Sequence, residues 1–272
     1  MALTNFQAGV CRIIATNRKT AGDSYIAGGS ALNVLLNAPR LSHDIDIFHD
    51  TTEALHVSWN MDNDSLREHG YNVDVVREAP SFVEAFVSKG GDQVILQWVR
   101  DSAFRFFPLI EDDYFGLTMH PFDLATNKVL ALVGRLEIRD WIDVQQCSQK
   151  IQHLGLLAWA ACGKDPGFSP VGILNEAARS SRYTHADLER LDFIEPPADI
   201  CELSRCWKHM LKEGLEIIDF LPVEQAGKCM LSSDGTLASG GIDEIRQVLN
   251  SKQCLWHSGS IGGIIPNVIE TV

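Results

Sequence analysis

The segment from Tyr25 to Phe48 constrains the fold more than any other part of the chain. A short apolar run, Tyr25-Ile26-Ala27, meets Gly28-Gly29-Ser30. An apolar stretch from Ala31 to about Asn37, a turn at Pro39-Arg40 and then Ser42-His43-Asp44-Ile45-Asp46-Ile47-Phe48 follow. This order reads as strand, glycine turn, helix, strand. Strand side chains alternate faces, so Asp44 and Asp46 share one face while Ile45 and Ile47 point into a core. His43 has the opposite parity and reads as structural. An amphipathic helix (Phe6, Val10, Ile13, Ile14) precedes this unit, and a polar helical stretch, Thr51–Gly70, follows it. Val- and Ile-rich runs at Tyr71–Arg77, Phe82–Ser88 and Gln93–Arg100, separated by Pro80 or Gly90-Gly91, then read as strands. Strands with such short breaks require an antiparallel or mixed sheet, which makes the fold α+β rather than a doubly wound parallel one.

Beyond an aromatic, Asp-rich connection at Phe104–Phe115 the period changes. Pro121 suits a first helical position, and Phe122, Ala125, Val129, Leu132, Val133 and Leu136 form one apolar stripe. Helices are expected at Trp141–His153, Gly155–Ala161, Pro170–Ser180, His185–Leu191 and Ile200–Phe220, and a short one near Ile242–Asn250 in a Gly/Ser-rich C-terminal stretch. The pattern predicts a sheet-based catalytic domain over residues 1–118 and a mostly helical domain over 119–272 that closes over its cleft.

Two carboxylates side by side on a rigid strand repel each other unless something positive joins them, and a divalent cation with oxygen ligands is the natural partner. The glycines let a polyanion approach the backbone, and the start of a helix at Ser30 favours phosphate. The Walker pattern would need a lysine directly after the glycines, and none is there. Taken singly, a Gly-Gly-Ser turn is only an N-cap and an Asp-x-Asp only a solvated strand face; the spacing between them gives them meaning.

At these residues the chain resembles the nucleotidyltransferases of the DNA polymerase β superfamily. More narrowly, Gly28-Gly29-Ser30-Ala31-Leu32 with Arg40, Ser42, Asp44, Ile45, Asp46 and Phe48 is similar to the abortive-infection, AbiEii-type toxin group. A second stretch, Asp123-Leu124-Ala125-Thr126-Asn127-Lys128, then Arg135, Arg139-Asp140 and Asp143, is similar to the second signature of that group. The resemblance implies a polymerase-β-like sheet with flanking helices and active-site roles for Lys128 and for Asp140 or Asp143. Asp44 and Asp46 are expected to bind Mg²⁺ (or Mn²⁺), and Gly28, Gly29, Ser30, Arg40, Lys128 and Arg135 to bind the nucleotide. Read without the resemblance, Lys128 and the two aspartates are equally a capped helix start with salt bridges. The superfamily usually carries a third carboxylate on a later strand, where this chain has Gln97. An amide binds metal more weakly and cannot act as a base. Asp101 shares the parity of Gln97 but lies about 13 Å further along, at roughly 3.3 Å per residue. This leaves a two-aspartate site, a base supplied by Asp140 or Asp143, or a weakened enzyme.

Net charge bounds the partners. At −13 the chain does not suit wrapping a long nucleic acid, so a nucleic-acid substrate must be gripped locally, for example at one end. The expected reaction moves an NMP from an NTP to an acceptor hydroxyl, with RNA (the end of a tRNA) as acceptor and, by resemblance, an antitoxin as partner. Small-molecule adenylylation of the antibiotic-modifying kind and nucleotide or partner binding without turnover are the alternatives. Seven cysteines without paired spacing suggest reduced thiols in a cytoplasm, and no stretch approaches the length of a membrane span. Cys201, Cys206 and His209 lie close in sequence and read as helix surface or core rather than a zinc site.

Overall fold

Thr4 starts the first helix. Its hydroxyl accepts from the Gln7 amide while the Gln7 side chain accepts from the Thr4 amide, a reciprocal cap that fixes where the chain turns helical. The computed structural model describes residues 3–180, 182–251 and 254–266. It clusters into two units: Met1–Ala103 with Leu109–His120 and Asp192–Glu195, and Phe104–Pro108 with Pro121–Leu191 and Pro196–Val272.

The first unit runs α1 (Asn5–Ala21), β1 (Ser24–Ala27), α2 (Gly28–Leu35), β2 (Asp44–His49), α3 (Thr52–Glu68), β3 (Asn72–Ala79), β4 (Phe82–Lys89) and β5 (Asp92–Arg100). After β6 (Phe104–Arg105), which belongs to the second unit, come β7 (Ile110–Asp112) and β8 (Gly116–Thr118). The sheet is mixed, ordered β3-β4-β5-β2-β1-β8-β7, with β2–β5 and β1–β8 parallel and the other neighbours antiparallel. This is the α+β sheet the short strand breaks require. Ile45, Ile47, Val83, Ala85, Leu96 and Trp98 are buried, as are Val10 and Ile14 of α1 and Leu55, Trp59 and Leu66 of α3. Trp59 meets Trp98 edge to face at 4.6 Å. Beside them lies a fully buried ion pair, Arg18 to Asp62 at 3.1 Å, with Asn17 and the Trp98 indole also donating to Asp62.

Two details depart from expectation. The helix begins at Gly28 rather than Ala31, because Gly28 adopts a left-handed φ of 72° that swings the chain from β1 straight into the first helical turn. The connection at Phe104–Phe115 contains β6 and β7, strands of two and three residues, too short for an alternating pattern to show.

His49, at the buried end of β2, donates from Nδ1 to the Val99 carbonyl. Burial pushes its pKa down to about 4, against a smaller upward pull from that bond. The folded chain therefore binds its proton later than the unfolded chain. The His49 contribution is complete above about pH 6.5 and is lost as pH falls towards 4. Urea titrations at pH 7 and pH 4.5 should show about 2 kcal/mol of this loss, and His49→Gln should flatten that part of the pH dependence. An unchanged slope in the variant would contradict the assignment.

The second unit comprises β6, α4 (Pro121–Arg135), α5 (Ile138–Lys150), α6 (Leu154–Ala161), α7 (Pro170–Ala177), α8 (His185–Leu188), α9 (Ile200–Phe220), β9 (Cys229–Leu231), α10 (Ile242–Asn250), β10 (Leu255–His257) and β11 (Ser260–Ile261). Every residue of α6 is buried, which explains a helix with almost no polar face. It passes α9 where Gly155 meets Gly214; a methyl on Gly155 would stand 2.9 Å from the Gly214 backbone. The small ladders β9–β10 and β6–β11 add strands to the Gly/Ser-rich C-terminal stretch, where only the short helix was expected, since their partners lie far apart in sequence and leave no local signature. Among the described residues no helix is long and apolar enough to cross a membrane.

Candidate active site

The edge-on view of β2 shows the expected alternation: Asp44, Asp46 and Phe48 half-buried on one face, Ile45, Ile47 and His49 buried on the other. The glycine turn lies against the carboxylate face. A methyl group on Gly28 would stand 2.0 Å from Asp46 Oδ2 and 3.0 Å from its Cγ, so the Asp46 carboxylate lies where that methyl would be. At Gly29 a methyl would stand 2.9 Å from Arg40 Nη2 and 3.2 Å from Ser42 Oγ. Gly28 thus packs on Asp46 and Gly29 on Arg40 and Ser42, and a side chain at either glycine would push these groups aside.

Asp44 is held from two sides. The Ser42 hydroxyl donates to Asp44 Oδ1 at 3.0 Å, and the Ser42 carbonyl accepts from Gln7 Nε2 at 2.7 Å. The cap of α1 thus reaches the carboxylate through two residues. Ser30 is fully buried and its hydroxyl donates to the Asp44 carbonyl. In this structure the Ser30 side chain joins α2 to β2, because the helix starts earlier and places Ser30 in its buried first turn. No side chain caps α2, so backbone amides at Gly28 and Gly29 head a helix with its positive dipole end beside the carboxylates. Arg40 is buried too, anchored by a bond from Nη1 to the Leu41 carbonyl. Its strand-like segment is clamped by the returning residues Asp192–Glu195, Leu41 N donating to Asp192 O at 2.8 Å and Ile194 N to Pro39 O at 2.7 Å.

Gln97 occupies the position beside Asp46: the two are register partners across the parallel β2–β5 pair. Its amide Nε2 donates to Glu84 Oε2 at 2.6 Å across the β4–β5 hairpin. Among the described residues no three His, Cys, Asp or Glu side chains converge as a metal set. The oxygen donors of this cluster that suit a cation are the two aspartates and the neutral Gln97 amide beside Asp46. These hard oxygens suit Mg²⁺ or Mn²⁺, and the absence of thiol or imidazole from the cluster argues against a softer metal. Asp101 follows the end of β5, its amide donating to His49 O, and does not substitute. Glu84 escaped the sequence reading, although its pairing with Gln97 follows by counting outward from the two-residue turn Gly90-Gly91.

The second signature lies in the other unit. Lys128 Nζ is 3.0 Å from Asp140 Oδ1 and 3.1 Å from Asp143 Oδ2, with both carboxylates buried. Arg135 adds two bonds to Asp140, from Nε at 2.6 Å and Nη2 at 2.9 Å. Burial alone would raise the Asp140 pKa, but the Arg135 bonds and the Lys128 charge together hold it below the ordinary carboxylate range. Such a carboxylate keeps its negative charge to lower pH than an ordinary one. Cys201 and Cys206 are exposed on α9, and His209 pairs with Glu213 at 3.3 Å.

These elements define an α+β protein with a seven-stranded mixed sheet carrying paired aspartates beside a glycine-headed helix. Among solved structures the fold is similar to that of JHP933 from Helicobacter pylori, with 13% identity, a TM-score of 0.53, and coverage of 80% of this chain and 95% of that one. MenT4, a nucleotidyltransferase toxin from Mycobacterium tuberculosis, aligns at 15% identity and a TM-score of 0.49 over 82% of this chain and 88% of its own. No protein-family model matches the sequence, and no curated protein compared with it matches either.

Proposed function

We propose that this chain is a metal-dependent nucleotidyltransferase that moves an NMP from an NTP to an acceptor hydroxyl, with RNA, at a tRNA end, as the acceptor. The observation that supports this best is the contact between Asp46 and Gly28, one carboxylate of the Asp44–Asp46 strand against a helix start that would favour a polyphosphate. Gly28 and Gly29 amides would take the outer phosphates, and Arg40, packed on Gly29, would neutralise their charge. A divalent cation held by Asp44 and Asp46 would stabilise charge on the reacting phosphoryl oxygens. The acceptor oxygen attacks the α-phosphorus, the bond to the β-phosphate oxygen breaks, pyrophosphate leaves, and the hydroxyl proton passes to solvent or a site carboxylate. Ser42 keeps Asp44 aimed throughout. The family resemblance supports a toxin-like role opposed by an antitoxin in a cytoplasm; it also gives Lys128 a place at the triphosphate, although its own unit already binds that ammonium in two ion pairs.

The test uses purified protein, Mg²⁺, total RNA, and NTPs labelled at either the α- or the γ-phosphate. Label should enter RNA from the α position only. Entry from the γ position would mean phosphoryl rather than nucleotidyl transfer, and labelling of small molecules in place of RNA would move the acceptor assignment to the antibiotic-type reading.

A further inference from the structure

Asp46, Gln97 and Glu84 form a row across three adjacent strands, all half-buried and in register. A primary amide carries its donors on one corner and its acceptor on the other. Beside a carboxylate pair, the amide of Gln97 would be drawn round so that its NH₂ met Asp46, closing the site to a cation. The 2.6 Å bond to Glu84, an acceptor-only group when ionised, competes for that NH₂ and turns it towards β4. The carbonyl Oε1 is then the corner left on the side of β2.

We infer that Glu84 is a positioning residue that fixes the Gln97 amide so that its oxygen, not its nitrogen, completes a three-oxygen cation site with Asp44 and Asp46. The inference rests on the nucleotidyltransferase reading of that site. Such a site carries two negative charges rather than three, so it depends on nucleotide phosphates to complete the cation's shell. Glu84 itself stays one strand away and touches neither substrate nor cation.

Mn²⁺ titration of the full chain, followed by electron paramagnetic resonance with a non-hydrolysable NTP present, tests this. Glu84→Gln replaces an acceptor-only group by one that offers either an acceptor or a donor, so the Gln97 amide is no longer held one way round. Mn²⁺ binding should then weaken about 10-fold or more, the usual cost of losing a group that orients a ligand. The exchanged pair Glu84→Gln with Gln97→Glu restores the hydrogen bond in reverse and should bind Mn²⁺ at least as tightly as the wild type. Gln97→Met, which removes both amide atoms, should match the loss seen with Glu84→Gln. Should Glu84→Gln lower the melting temperature while Mn²⁺ affinity stays at the wild-type value, Glu84 is structural and the inference fails alone. Should the wild type bind Mn²⁺ no better than Asp46→Asn, the reading of the site itself fails and takes this inference with it.

Discussion

On the nucleotidyltransferase reading, Asp46→Asn should transfer nucleotide at least about a hundredfold more slowly than the wild type. The loss has the size expected when one charged group acting on a transferring phosphoryl centre is removed. Asparagine keeps the shape of this half-buried side chain, so a thermal melt separates lost charge from lost packing. Gly28→Ala should produce a comparable loss without removing any carboxylate. Its methyl would need the space 2.0 Å from Asp46 Oδ2, and its left-handed φ of 72° is strained for alanine, so Asp46 must swing away. Rates from α-labelled NTP, read beside thermal melts, check both. An Asp46→Asn enzyme with wild-type turnover would remove this carboxylate from the reaction.

Lys128→Met has the largest expected effect on stability, a loss of about 3–5 kcal/mol. The ammonium sits between Asp140 and Asp143, which are 0% and 1% exposed, and without it two buried carboxylates lose the counter-charge they share. Methionine fills the stem's volume, so the loss measures charge rather than a cavity. Pairing it with Asp143→Asn should recover part of the loss, because the remaining anion, Asp140, keeps both Arg135 bonds. The Asp140 contribution is present above the ordinary carboxylate pKa and fades as pH falls through its lower folded value. Urea denaturation of the single and double variants reads these terms. A loss under about 1 kcal/mol for Lys128→Met would mean that the network is solvated and weak.

Much of the first unit could be read directly from residue order. Ile45 and Ile47 against Asp44 and Asp46 gave β2 its faces, and Gly90-Gly91 marked the break between β4 and β5, because alternation and a two-residue turn are local signals. The long amphipathic helix Ile200–Phe220 was legible for the same reason. What could not be read depends on partners distant in sequence. Cys229–Leu231 is a strand only because Leu255–His257 lies beside it, and Asp192–Glu195 clamps Pro39–Leu41 across 150 residues of chain, a link no periodicity announces. The start of α2 was misplaced because a left-handed glycine lets a helix begin without a cap, and that shift puts the Ser30 hydroxyl on the Asp44 carbonyl, a bond the spacing did not announce. Lys128 shows the limit of a signature: the residues fall where the pattern puts them, yet their neighbours tie them into ion pairs that sequence spacing allowed but could not choose.

Crystals grown with Mn²⁺ and a non-hydrolysable NTP probe the central claim most directly. The account predicts an anomalous peak about 2.1 Å from carboxylate oxygens of both Asp44 and Asp46, with the outer phosphates over Gly28 and Gly29. A nucleotide bound with its phosphates away from that glycine turn, or Mn²⁺ held by other side chains, would contradict it.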